Sequence, residues 1–129
     1  MGIGRYVVRE VAKELDHRSR EFFEFVMPAI DMVEEGSELV VIIDLPGFAK
    51  QDISLNIRHD NILSIKAKRA APEETGTVYQ RHRPLRIEKS IVLPITVKED
   101  EKIVGKATYA DGVVTLRIPL PSKTTIPIT

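Results

Sequence analysis

The sequence predicts an all-β domain, a two-layer antiparallel sandwich, from three observations. Hydrophobic periodicity switches to two after Pro28, turn-forming pairs punctuate the chain at regular spacing, and several short apolar runs alternate with polar residues. Asp31 to Glu35 reads as a short strand, Gly36-Ser37 as a turn, and Glu38 to Leu45 as a strand. The unbroken Leu39-Val40-Val41-Ile42-Ile43 run in that strand calls for burial on both faces. Pro46-Gly47 stands in type II turn order. Ile53, Leu55 and Ile57 alternate with Ser54, Asn56 and Arg58, and Leu63, Ile65 and Ala67 alternate with Ser64, Lys66 and Lys68, so two half-buried strands meet at a tight turn over His59-Asp60-Asn61. Residues 70–86 read as a protruding loop, within which Val78-Tyr79-Gln80-Arg81 has the make-up of a strand that joins a neighbour's sheet edge. Ile87, Ile91 and Leu93 resume the ladder up to Pro94, and Lys98 to Lys102 is a charged turn. Lys106 to Ala110 and Val113 to Leu120 form a hairpin across Asp111-Gly112, a pair that type I′ turns favour. Seven strands and a loop strand over about 90 residues suit a sandwich.

Ahead of this domain, residues 1–29 form an arm. Val8, Val11, Leu15, Phe22 and Val26 recur at three- or four-residue intervals, which predicts an amphipathic helix weakened around Asp16 to Ser19 and closed by Pro28. Basic and acidic residues interleave on its polar face, as on a solvated helix. Phe22, Phe23 and Phe25 crowd its end. Adjacent helical residues point about 100° apart, so one narrow face cannot bury the whole group, and part of this aromatic surface is left for another chain. The competing expectation is an ordinary helix packed on its own domain.

Behind the 30–120 domain comes an extended tail, residues 121–129, which carries Ile126-Pro127-Ile128. Proline favours extended geometry for itself and for the residue before it, so both isoleucines project to one side and read as a plug for a groove. Burying both gives roughly 3–6 kcal/mol gross. Ordering the linker and docking take back several kcal/mol, so one plug binds weakly and only many together hold an assembly. The alternative is a frayed end with two chance isoleucines.

Composition narrows the function classes. In 129 residues, 19 basic and 19 acidic side chains cancel, so no long-range field draws in nucleic acid, an anionic membrane or an acidic substrate. The absence of cysteine excludes disulfides, thiolate metal sites and cysteine nucleophiles. No signal-peptide core and no transmembrane-length apolar run occur, which leads to the expectation of a soluble cytoplasmic protein. Asn56, Asn61, Gln51 and Gln80 are the sole amides beside many charges, a pattern of proteins from hot environments.

Chemistry-bearing motifs are scarce. His17, His59 and His82 lie far apart without the spacing of metal ligands. Glu99-Asp100-Glu101 lacks the alternating oxygen ligands and the glycine of a calcium loop. Gly2-Ile3-Gly4 follows no strand, so it is no dinucleotide fingerprint. Arg81-His82-Arg83 and Arg86 near Tyr79 make a basic patch better read as salt bridges across a dimer loop than as an RNA site. With no nucleophile elbow and no nucleophile paired with histidine, the expectation is a non-enzyme without metal or cofactor.

Four ordered motifs then coincide. Ala107 to Leu116, with Gly112, Val113 and Val114 at its turn, resembles the A-x-x-x-n-G-V-L signature of the α-crystallin domain. Asp44-Leu45-Pro46-Gly47-Phe48 followed by Lys50, Asp52 and Ile53, then Ile91-Val92-Leu93-Pro94, and finally Ile126-Pro127-Ile128 are similar to further segments of the same family, the small heat-shock proteins (Hsp20), here in an archaeal, thermophile-like form. Val114 replaces the signature leucine. Lys89 stands where many members carry arginine, which leaves the family's dimer-interface ion pair open because lysine lacks the bidentate fork. The resemblance implies an immunoglobulin-like sandwich acting as an ATP-independent holdase. Its loop strand, Val78 to Arg81, would pair with a partner's sheet to make a homodimer. Tails would then dock on neighbouring subunits to build a large, exchanging homo-oligomer. The implied groove lies between the strand of Leu55 and Ile57 and the strand of Ala107 and Tyr109, and unfolded clients would meet the arm at Val8, Val11, Leu15, Phe22, Phe23 and Phe25. Neither nucleic acid nor membrane is an expected partner. The alternative is an α-crystallin-like co-chaperone or scaffold that binds one folded partner.

Overall fold

The computed structural model describes residues 18, 20–95, 105–120 and 127–128. Seven strands occur among them: β1 (Ile30–Glu35), β2 (Glu38–Asp44), β3 (Ile53–Ile57), β4 (Ile62–Lys68), β5 (Arg86–Val92), β6 (Lys106–Ala110) and β7 (Val113–Pro119). They form two antiparallel sheets, a four-stranded one in the order β1-β2-β7-β6 and a three-stranded one in the order β3-β4-β5. The strands read from alternation are all present, with bounds shifted by about one residue.

The alternation decides what meets between the layers. Leu39, Val41 and Ile43 of β2, Leu63, Ile65 and Ala67 of β4, and Val114, Leu116 and Ile118 of β7 fill the interior with Leu45, Phe48, Ile87 and Leu93. Each buried isoleucine or leucine contributes about 1.5–3 kcal/mol. Most of these side chains come from the inner strands β2, β4 and β7, so cohesion is concentrated there. The outer strands β1, β3 and β6 add half-buried residues such as Met32, Leu55, Ile57 and Tyr109. On the outer face of β2, Val40 is buried between Val33 of β1 and Arg117 of β7 and Ile42 is half-buried, as the continuous apolar run requires.

Turn chemistry sets the registers. Gly47 has φ +81°, the left-handed value required at the third position of a type II turn. Asp111 and Gly112 both have positive φ, as a two-residue type I′ hairpin demands. At the β3–β4 turn the Arg58 N–H donates to the Ile62 carbonyl at 2.9 Å, and Asn61 takes φ +63°, a value asparagine tolerates.

Residues 70–85 contain no strand in the single chain. Val78 to Arg81 form no ladder with any strand of the single chain. The arm is helical over 20–26, where the Met27 N–H donates to the Phe23 carbonyl at 2.9 Å. It packs on the base of the loop: Phe23 stacks on His82 at 5.0 Å, and the Leu85 N–H donates to Glu24 Oε1 at 3.0 Å.

Candidate functional site

Two motifs far apart in the sequence meet at one end of the sandwich. The Leu45 N–H donates to the Gly112 carbonyl at 2.8 Å, which draws the β6–β7 turn onto the Pro46-Gly47 turn. Contact is so close that a Cβ on Gly112 would lie 3.0 Å from Pro46 Cα. Tyr109 Oη lies 2.7 Å from both the Leu45 and the Phe48 carbonyl oxygens, and its single proton is shared between them. The hydroxyl therefore fixes β6 beside the segment that leads through a 3-10 turn at Lys50–Asp52 into β3.

This tie sets the edge at which a groove was expected. β3 and β6 are the outer strands of different sheets, so each keeps one side without a strand partner among the described residues. Leu55 and Ile57 from β3 and Tyr109 from β6 are half-buried against the same core, while Ala107 is exposed. Tyr109 thus serves as a structural tie as well as a candidate lining residue. That second role was not legible in the sequence, because both carbonyl partners lie more than sixty positions away.

Of the plug, Ile126 lies outside the described residues, and Ile128 is 99 % exposed. In the loop, Tyr79 is 91 % exposed and Val78 is exposed beside it, while Arg81 pairs with Glu74 at 2.9 Å. Gln80 Nε2 lies 3.1 Å from His82 Nδ1. Val8, Val11 and Leu15 of the arm, the charged turn at Lys98 to Lys102 and His17 lie outside the described residues. Of the phenylalanine group, Phe22 and Phe25 are exposed at 60 % and 79 %, and Phe23 turns inward. One ring therefore packs on the chain's own domain, and two are exposed, Phe22 with its ring edge-on to Phe23 at 5.6 Å. Gly112 lies with Asp111 at the tip of the signature hairpin, Val113 opens β7 opposite Ala110, and Val114 enters the core. Lys89 stands opposite Ile65 on β5. His82 is occupied by ring stacking and by Gln80, and His59 sits in the β3–β4 turn.

Residues 31–129 match the Hsp20/alpha crystallin family. The chain belongs to that family. A variant of hsp14.1 from Sulfolobus solfatataricus P2 superposes with a TM-score of 0.73 at 45 % identity, covering 99 % of this chain and 98 % of that one. Heat shock protein HSP.16.4 of Streptococcus thermophilus is 36 % identical over 106 residues, which span 76 % of this chain and 72 % of the relative. A small heat-shock protein from Xylella fastidiosa, described as having a distinct high order structure, aligns with a TM-score of 0.61 at 27 % identity, covering 80 % of this chain and 94 % of that one. In this Hsp20 protein the two sheets are the alpha-crystallin sandwich. Among the described residues no helix is long and apolar enough to cross a membrane.

Proposed function

We propose that this Hsp20 protein is an ATP-independent holdase, an exchanging oligomer of dimers that keeps partly unfolded proteins from aggregating. One observation carries the reading: a single chain presents a fully exposed Ile128 while the half-buried edge at Leu55, Ile57 and Tyr109 has no strand beside it among the described residues. Docking between copies would cover both the exposed Ile128 and this edge. Val78 to Arg81, exposed and without a ladder of their own, supply the dimer strand when they reach a partner's sheet edge. The exposed Phe22 and Phe25, together with a groove that a departing tail uncovers, then offer apolar surface to unfolding chains. Family membership and the high order structure of the Xylella fastidiosa relative support this reading. The tail argues against the adaptor alternative, since a monomer bound to one folded partner has no use for an anchor.

Light scattering from a heat-labile protein tests it. An equimolar amount of this protein, without ATP, is expected to suppress the rise in scattering on heating. An unchanged scattering curve sinks the holdase reading.

A further inference from the structure

The two sheets turn unlike faces to the outside. On the three-stranded sheet, alternation leaves Ser54 and Asn56 of β3, Lys66 and Lys68 of β4, and Glu88 and Ser90 of β5 exposed, an ordinary solvated surface. The four-stranded sheet breaks that rule. Its inner strands β2 and β7 carry Val40, Ile42, Val113 and Thr115 outward, and all four are buried or half-buried. Val33 of β1 stands opposite Val40 and is 47 % exposed. Charge lies at the rim: Asp31 and Glu35 project from β1 and Lys106 from β6, while Arg117 leans over one end toward Glu35 and Glu38 at 3.7 and 3.9 Å. Every described strand belongs to this sheet or to the one behind it, so none of them covers the face.

An apolar band between an acidic border and a basic border selects its cover. Of the segments outside the described residues, 96–104 hold the charged Lys98 to Lys102 run, and 121–126 carry one isoleucine. Residues 5–15 differ. On a helix, Val8, Val11, Ala12 and Leu15 fall within about 100° of one another and make an apolar stripe. Arg5, Arg9 and Lys13 line one flank of it, and Glu10 and Glu14 line the other. The rim is the complement, with Asp31 and Glu35 for the basic flank and Lys106 for the acidic one. Dimensions agree. Three strand spacings separate β1 from β6, about 14 Å, and a helix about 10–12 Å across, laid along β2 and β7, sets its flanks above those two borders. As a helix the segment is about 16 Å long, shorter than the seven-residue β2 beneath it. The covalent path is also short. The arm helix ends at residue 26, and the Ala29 carbonyl accepts from the Asp44 N–H at 3.0 Å, so the arm is tied to the margin of this same sheet.

We infer that residues 5–15 dock as an amphipathic helix on the outer face of their own chain's four-stranded sheet, with Arg9 and Lys13 toward β1. A consequence rests on the proposed holdase function: docking shelters Val8, Val11 and Leu15, and release presents them to clients.

The chain contains no cysteine, so an engineered pair reports contact without interference. Ala12→Cys/Val33→Cys joins the β1 side of the stripe to the exposed valine beneath it, whereas in Ala12→Cys/Ser90→Cys the second thiol lies on the outer face of the other sheet. When the full chain is oxidised by air with copper phenanthroline, thiol loss is expected to be at least tenfold faster in the first pair, with a product that migrates as a monomer on a non-reducing denaturing gel. Equal rates in the two pairs overturn the inference. So does a cross-link between chains, which would seat a neighbour's arm on this face. Asp31→Lys/Glu35→Lys, added to the first pair, should slow the reaction at least threefold, and an unchanged rate overturns the charge match that sets the helix direction. The consequence is read separately. The oxidised first pair should suppress the scattering of a heated client less than its reduced form does, and equal suppression overturns the sheltering. Disulfide formation needs no client, so its failure leaves the holdase reading standing on its own scattering test.

Discussion

Tyr109 is half-buried on an outer strand, and its one hydroxyl serves two main-chain carbonyls. Losing it leaves both acceptors without their donor in a partly buried place, and an abandoned acceptor costs more than the net worth of the bond it loses. Tyr109→Phe is therefore expected to lower stability by about 1–3 kcal/mol, read as a lower urea midpoint at fixed protein concentration. A midpoint equal to wild type would show that the hydroxyl does not hold β6 to the 45–48 segment. Gly112 and Gly47 answer the same geometry from the backbone. Both have positive φ, and a Cβ at Gly112 would meet Pro46 backbone, which cannot give way as a flexible side chain can. The turn types were legible because Pro-Gly and Asp-Gly state the φ values they need. That one turn rests on the other was not legible, because nothing local in either records its neighbour.

The loop and the arm have meanings that depend on what lies beside them. Val78 to Arg81 have the make-up of a strand, yet in the single chain they form none, since a strand is defined by the edge it pairs with. Proline tests this without disturbing the sandwich. Tyr79 is 91 % exposed, so Tyr79→Pro should leave the circular dichroism spectrum intact. In an added strand it removes a ladder donor and obstructs pairing, so dimer dissociation is expected to become at least tenfold easier by sedimentation equilibrium. Unchanged dimer affinity would take this segment out of the interface. The arm carries a related lesson. Three clustered phenylalanines on a helix cannot share one narrow face, and the structure divides them, with Phe23 on His82 and Phe22 and Phe25 outward. Periodicity foretold the division. Only the packing of the loop base selected Phe23.

For the whole molecule, the proposed function has assembly follow from weak plugs used many times. On that proposal each tail would contribute roughly 3–6 kcal/mol gross before its ordering cost, so a lone docking event would be readily reversed while a closed set would persist. Replacing Ile126 and Ile128 by serine removes that burial and is expected to reduce a large oligomer to dimers in native mass by light scattering. A double variant of wild-type mass would remove the anchor role. What the sequence determined by itself is whatever is encoded by neighbours along the chain: strand alternation, turn type, the family motifs, the Ile-x-Ile spacing and the crowding of aromatic rings. What only the tertiary structure decided is whatever depends on residues brought together from a distance. These are the Tyr109 tie, the edges left unpaired at β3 and β6, and the choice of Phe23 as the inward ring. The physical reason is that periodicity and φ preference act between adjacent residues, whereas burial and hydrogen-bond satisfaction are properties of position in space.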